Sequence, residues 1–226
     1  MNEMGKAILD FILPRFCPCC NKKLQSFEPP VCCQCLSKIK EAEPQRIVSE
    51  YNRKFAHREI ISGFISCFVF EKDKELQQII HSMKYGGKFL LGTFLGERLG
   101  EKIIREFPDL KIDLVVPVPL HHLRRAERQF NQSYYVAKGV SRTAGIVIKK
   151  GLITRKRYTE TQTTLKISER ETNVTNAFGS KKKLNGESIL LVDDVITTGS
   201  TITECGKTLL AAGAGKIYAA SAAIAD

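Results

Sequence analysis

The sequence predicts an α/β fold, a parallel sheet flanked by helices with a small cysteine-rich unit in front. Three observations lead there. Short apolar runs alternate with longer segments of helical period, the pattern of strand–helix–strand crossovers. The runs Leu114–Pro119 and Ile189–Val192 are continuously apolar, as strands buried in a parallel sheet are. Six of the eight cysteines crowd into Cys17–Cys35. With 226 residues the chain holds one sizeable domain and a small appendage, drawn here as 1–45 and 46–226.

Taken in order, Met4–Leu13 is apolar but broken by Asp10, and Pro14-Arg15 follow without a small-residue cleavage site. It reads as a short amphipathic helix rather than a signal peptide. Packing on its own domain is its expected role, with peripheral membrane contact the alternative. No run of about 18 apolar residues occurs, so no membrane-spanning helix is expected and the chain is placed in the cytoplasm. Leu36–Ala42 is a short helix candidate. Ser62–Phe70 is apolar and rich in β-branched and aromatic residues, hence a strand. Leu76–Met83 has helical spacing and stops at Lys84-Tyr-Gly-Gly87. Phe89–Ile104 is a second helix, with Leu90, Leu91, Phe94, Leu95, Leu99 and Ile103 as its apolar face. The strand from Leu114 runs into prolines and ends there. Phe130–Arg142 is helical, and Ile146–Ile148 with Leu152-Ile153 forms a strand. Thr154–Glu171 is polar, basic and without apolar period, a long mobile loop of the kind that usually serves function. Ile189–Val192, Ser200–Ala212 and Ile217–Ile224 complete a strand, a helix and a last strand.

The net charge is +11, and it is localised. Between His121 and Lys183 there are 15 Lys/Arg against 4 Asp/Glu, while the remainder of the chain is neutral. Arg124-Arg125, Lys149-Lys150, Arg155-Lys-Arg157 and Lys181-Lys-Lys183 create a positive field suited to a polyanion, either a nucleic acid or a small ligand with several phosphates. A solvated face that only aids solubility is the plainer alternative.

Cys17-x-x-Cys20 and Cys32-x-x-Cys35 stand eleven residues apart. Two such knuckles complete a tetrahedral four-thiolate site for a soft ion such as zinc, and binding would fold a piece too small to fold alone. Four thiolates leave no open position, so the site is structural. Disulfides are the alternative, but they need an oxidising compartment, and nothing here signals export. Cys19 and Cys33 are spare thiols.

Two carboxylates, Asp193 and Asp194, end the apolar run at 189–192, and Val195-Ile-Thr-Thr-Gly-Ser-Thr201 follows into a helix. In an open α/β sheet, ligands bind at the carboxyl ends of strands. Backbone N–H groups of the turn and helix start, with the hydroxyls of Thr197, Thr198, Ser200 and Thr201, can surround a phosphate. Gly199 allows close approach of the backbone. The carboxylates would repel that phosphate, but they accept hydrogen bonds from vicinal hydroxyls. Pair and turn together spell a sugar phosphate. No G-x-x-x-x-G-K occurs.

"ILLVDDVITTGST" resembles the phosphoribosyl pyrophosphate (PRPP) motif of type I phosphoribosyltransferases. "KYGG" at 84–87, "VPVPLHHLRRAERQFNQ" at 116–132, "TQTTLKISERETNVTNAF" at 161–178 and the cysteine ribbon resemble the blocks of the ComF family of competence-associated, phosphoribosyltransferase-like proteins. One departure is visible: Gln129 stands where the family usually has glycine before Phe130-Asn-Gln. The resemblance implies a type I phosphoribosyltransferase-like sheet. In it, Asp193 and Asp194 hold the ribose hydroxyls and Thr197–Thr201 hold the 5-phosphate. It puts Pro117–His121, including Pro119, in place of the pyrophosphate loop. Arg124, Arg125 and Arg128 then become pyrophosphate or phosphodiester contacts. Arg155 and Arg157 fall in the mobile loop, and Lys84 and Tyr85 at the mouth. Asn131-Gln132 are read equally as structural or as ligand contacts, and His121 and His122 have no partner that would make them catalytic.

The expected function is a cytoplasmic protein of DNA uptake, binding single-stranded DNA and PRPP with magnesium and docking a DNA-uptake or helicase-type partner. The basic segment independently fits phosphate-backbone binding. No stripe of exposed aromatics is obvious for base stacking. Tyr134, Tyr135, Tyr158 and Phe130 are the nearest candidates. The alternatives are a PRPP-sensing regulator and an active transferase that releases pyrophosphate.

Overall fold

A computed structural model describes residues 14–25, 27–120, 129–155, 177–180 and 182–225. The expected helix at Met4–Leu13 lies outside them, as do His121, Arg124, Arg125, Arg128, Arg157 and Tyr158.

Five strands form one parallel sheet: β3 (Gly63–Val69), β4 (Leu114–Pro117), β5 (Val147–Ile148), β8 (Ser188–Ile196) and β9 (Lys216–Ile224), in the order β3-β9-β8-β4-β5. The connections need helices, and helices cover both faces. On one face lie α3 (Glu75–Tyr85), α4 (Phe89–Glu106) and α5 (Gln132–Ala144), packed over Val115, Leu190 and Val192. On the other, α2 (Pro44–Lys54) and α6 (Ser200–Ala211) pack over Val116, Ile189 and Leu191. Alternate residues of β4 and β8 thus serve opposite cores, which is why both strands are apolar throughout. From β4 the chain moves outward through α5 to β5. From β8 it moves the other way through α6 to β9. The strand order therefore reverses between β4 and β8, and a crevice opens beyond their carboxyl ends.

The helix pair α4–α5 crosses very closely. A Cβ on Gly96 would lie 2.0 Å from the Val136 carbonyl oxygen, and one on Gly139 2.1 Å from that of Thr93. Glycine is required here by space. The buried arc of α4 centres on Leu91, Leu95 and Leu99 beside this glycine ridge, and Leu90, expected on the apolar face, falls nearly opposite and is 60% exposed.

In front of the sheet, β1 (Arg15–Phe16) and β2 (Lys23–Leu24) make an antiparallel hairpin, followed by the single-turn α1 (Cys33–Leu36). The helix expected at Leu36–Ala42 is replaced by this earlier turn, which the second cysteine knuckle sets: the Cys35 and Leu36 amides both donate to the Cys32 carbonyl. Beyond it the chain runs along β3, with Ala42 donating to Cys67 and Val69 to Lys40, so that outer edge is covered. Helix α2 was not foreseen at all. The strand expected over 146–153 divides: β5 ends at Ile148, and Leu152 and Ile153 turn into the second core. The expected loop at Thr154–Glu171 begins instead as β6 (Thr154–Arg155), paired antiparallel with β7 (Phe178–Gly179), and its remainder lies outside the described residues.

Candidate functional site

Strand β8 continues through the two acids to Ile196, rather than ending before them. Val192 and Val195 both belong to the α4–α5 core, three positions apart, so strict alternation is interrupted across Asp193 and Asp194. Both carboxylates consequently find partners on that side. The Ser133 hydroxyl, in the first turn of α5, donates to Asp193 Oδ1 at 2.7 Å, and the Asp194 amide donates to the same oxygen at 2.9 Å. Lys84, in the last turn of α3, places its ammonium 3.0 Å from Asp194 Oδ2.

These environments drive the two acids apart. Burial and the neighbouring Asp194 charge push the Asp193 carboxyl up to about 7. Burial would raise Asp194 as well, but the Lys84 ammonium outweighs it and holds that carboxyl below the usual range. The pair therefore carries about one negative charge with a second within reach near neutrality.

The turn after β8 is held from beneath. Lys54 is buried at the end of α2, where its ammonium donates to the Thr197 carbonyl and, at 2.9 Å, to that of Ala225. Its charge is met by Glu50 at 3.0 Å. Gly199 has φ +77°, and a Cβ there would fall 2.6 Å from the Phe55 ring, so conformation and space both demand glycine. The Thr198 and Ser200 hydroxyls lie 3.0 Å apart, and Thr197 is exposed. The first amides of α6 have no carbonyl one turn back and face the same region. Of the other expected residues, Val195 is half-buried, Ile196 belongs to the second core, and Thr201 is half-buried.

Across the crevice, the Val118 amide donates to Val192, and Asn131 Nδ2 donates to the Val118 carbonyl at 2.9 Å, fixing the half-buried Pro119 segment. Asn131 thus has a structural bond. Gln129, just before it, takes φ +64°, the left-handed conformation that glycine adopts freely. Arg155, on β6, lies over the Phe178 ring at 5.4 Å. Sequence reasoning missed Lys54 and Ser133, whose partners Thr197, Ala225 and Asp193 are remote in the chain, and Glu50, whose i, i+4 spacing to Lys54 was the one local signal.

The second constellation is the ribbon. The sulfurs of Cys17, Cys20, Cys32 and Cys35 all lie within 4.8 Å of one another, a set that can hold one metal ion. All eight cysteines are free of disulfides. Burial works against a thiolate at Cys17, but backbone N–H groups of Cys20, Cys32 and Cys19 converge on its sulfur and bring it down to about 6. Cys19 borders the cluster beside Cys17 and Cys35 and meets the Glu75 carbonyl at 3.5 Å, and Cys33 is exposed.

A phosphoribosyl transferase domain model matches residues 95–225, which contain β4, β8 and the whole carboxylate turn. Competence protein F of Haemophilus influenzae is 30% identical over 200 residues, covering 85% of this chain and 83% of that protein. The chain belongs to the competence protein F family. The DNA utilization protein YhgH of Escherichia coli is 33% identical over 145 residues, 63% of this chain and 64% of that protein. Among solved structures, a purine phosphoribosyltransferase from Pyrococcus horikoshii aligns over 58% of this chain and 72% of its own, at 20% identity and a TM-score of 0.36. The family's shared domain thus coincides with the crevice at the β4–β8 reversal, and the ribbon precedes it.

Proposed function

We propose that this chain handles DNA in the cytoplasm, taking PRPP or a related phosphoribose at Asp193–Thr201 and single-stranded DNA on its basic surface. The observation that carries the reading is the split carboxylate pair leading into a turn whose Thr198 and Ser200 hydroxyls meet at the start of α6. Asp194, kept ionised by Lys84, accepts hydrogen bonds from vicinal hydroxyls. Asp193, already bound to Ser133 and the Asp194 amide through Oδ1, leaves Oδ2 for a second hydroxyl. The sugar's phosphate then lies against Thr197–Thr201 and the start of α6. A pair of carboxylates beside a polyphosphate suits magnesium, a hard cation with oxygen ligands. Asp193 and Asp194 would hold it through the hydroxyls they bind, and it would neutralise pyrophosphate charge. Pro119 and Lys84, with His121, Arg124, Arg125, Arg128, Arg155 and Arg157, are the proposed pyrophosphate or DNA phosphate contacts. The ion proposed for Cys17, Cys20, Cys32 and Cys35 is structural zinc. The names of the relatives, competence protein F and DNA utilization protein, support the DNA half of the reading, and a DNA-uptake or helicase-type partner is proposed with it.

Calorimetric titration with PRPP and magnesium, repeated with an oligonucleotide present, tests it. Saturable binding to the wild type, lost in Asp194→Ala, is expected; no heat with magnesium present would sink the phosphoribose half. Oligonucleotide binding that weakens as salt rises is expected for the other half.

A second reading, a PRPP-sensing regulator, is favoured by the Lys84–Asp194 ion pair. A ligand engaging Asp194 competes with Lys84, and Lys84 lies in the last turn of α3, which Tyr85 ends just before the glycines that lead into α4. DNA affinity that changes when PRPP is added is its signature, and equal affinity with and without PRPP excludes it.

A further inference from the structure

The first turn of α4 lies between two features that the phosphoribose site does not use. One is a cleft of about 370 Å³ between the cysteine ribbon and α4, walled by Phe16, Leu24, Phe89 and Leu91. The charged side chains lining it, Arg15 and Lys88, are both cations, and no acid lines it among the described residues. Arg15 also ties down the loop after β2 by donating to the carbonyls of Gln25 and Glu28. The other is an aromatic group around the start of α5. The Phe89 ring lies 4.9 Å from Tyr135 and 6.2 Å from Phe130, and Phe130 and Tyr135 meet edge to face at 5.3 Å. Tyr134 adjoins Tyr135 at 5.2 Å and carries the Lys150 ammonium 3.9 Å over its ring.

Phe89 belongs to both features and is left 42% exposed, with Phe16 opposite at 43%. Their exposed faces, with two cations and, among the described residues, no acid lining the cleft, match a flat π-system that carries a phosphate. The position matters as much as the composition. Ser133, bonded to Asp193, directly precedes Tyr134 and Tyr135, so the aromatic group begins within one helical turn of the carboxylate pair.

We infer that the cleft between the ribbon and α4 is a nucleobase site, in which an unpaired base of single-stranded DNA stacks on Phe89 on the side facing Phe16, while the Phe130–Tyr135 pair supports the Phe89 ring. Arg15 and Lys88 meet the phosphate of that nucleotide, and Lys150 with its exposed neighbour Lys149 meets an adjoining one. The inference rests on the DNA half of the proposed function and adds what that half lacked, a stacking platform. Charge complementarity selects the strand over a free base: the three cations placed at these rings, Arg15, Lys88 and Lys150, exceed what one uncharged base can use.

The test uses the full chain and a short oligothymidylate with one internal 2-aminopurine, whose fluorescence is quenched on stacking. Wild-type protein is expected to bind and quench. Phe89→Ala and, on the opposite wall, Phe16→Ala are expected to weaken binding by roughly five- to 150-fold and to relieve the quench. Phe89→Tyr is expected to restore both, and PRPP titration of Phe89→Ala is expected to match wild type. If both alanine variants bind and quench as wild type does, the cleft is not the base site, though DNA binding stands. If free bases bind the cleft and the oligonucleotide does not, the strand assignment is overturned. If wild type binds no oligonucleotide, this inference falls together with the DNA half of the proposed function, while the PRPP titration still judges the other half.

Discussion

Asp193 is where the chain's local chemistry departs most from the ordinary. In the unfolded chain its carboxyl loses its proton near 4. In the fold, burial and Asp194 keep the proton until about 7. Between those values the folded state binds more protons than the unfolded one, so stability falls as pH rises from about 4 to about 7 and levels off above. Asp194 has the opposite sign: its depressed carboxyl contributes stability present above the ordinary range and lost on acidification through its folded value. Asp193→Asn separates the two. The amide oxygen still accepts from Ser133 and from the Asp194 amide, but no charge is buried. The variant is expected to be more stable than wild type at pH 8 by roughly 1–2 kcal/mol, a figure lowered for the partial exposure of Asp193. Its stability is expected to stay flat between about pH 5 and 7.5, while the acid limb due to Asp194 persists. Thermal unfolding across that range decides, and a wild-type slope in the variant would show that Asp193 ionises normally.

Among the elements, the α4–α5 crossing depends on single atoms. The Cβ of Gly139→Ala would lie 2.1 Å from the Thr93 carbonyl oxygen and 2.5 Å from the Glu97 amide nitrogen, both backbone. No rotamer relieves that, so the helices must separate. Destabilisation of roughly 3 kcal/mol or more is expected in denaturant unfolding. Because Ser133 rides on α5, the proposed phosphoribose binding is expected to weaken as well. Neutral stability would mean that the helices are not in this contact. The central strands and α3–α6 were legible in the sequence because burial on two faces or one stripe leaves a period in the residues. Helix α2 was not: of its apolar side chains Ile47 is buried while Val48 is 60% exposed, and its inward side also uses Glu50 and Lys54. The apolar period that does exist, Ile47, Tyr51 and Phe55, is short and interrupted on the same side by that neutralised ion pair. The same holds at the site, where the acids and the Thr-Thr-Gly turn were readable as local signals. Ser133 and Lys54 were not, because only the fold brings them to Asp193 and Thr197.

Across the whole molecule, the ribbon and the sheet share a core. Cys17, Leu24, Val31, Cys32 and Cys35 lie in the same apolar cluster as Ile79, Leu91 and Leu95, and Cys19 reaches the carbonyl of Glu75 at the start of α3. The proposed zinc therefore supports more than its own hairpin. Cys20 and Cys33 make a controlled comparison. Both are exposed, so replacing either disturbs little packing, but only Cys20 belongs to the converging sulfurs. Cys33→Ser is expected to retain one zinc per chain and the wild-type melting temperature. Cys20→Ser is expected to bind zinc far more weakly. Loss of the ion frees the knuckles, exposes Leu24 and Val31, and uncovers the α4 side of the shared core, so the main unfolding transition should move down by several degrees. A strong chelator should do the same to wild type and little further to Cys20→Ser. Metal content with thermal unfolding reads all three cases. If Cys20→Ser loses the ion while the main transition stays in place, the ribbon folds apart from the sheet, and its contribution to the base cleft would have to be made by a separately ordered unit.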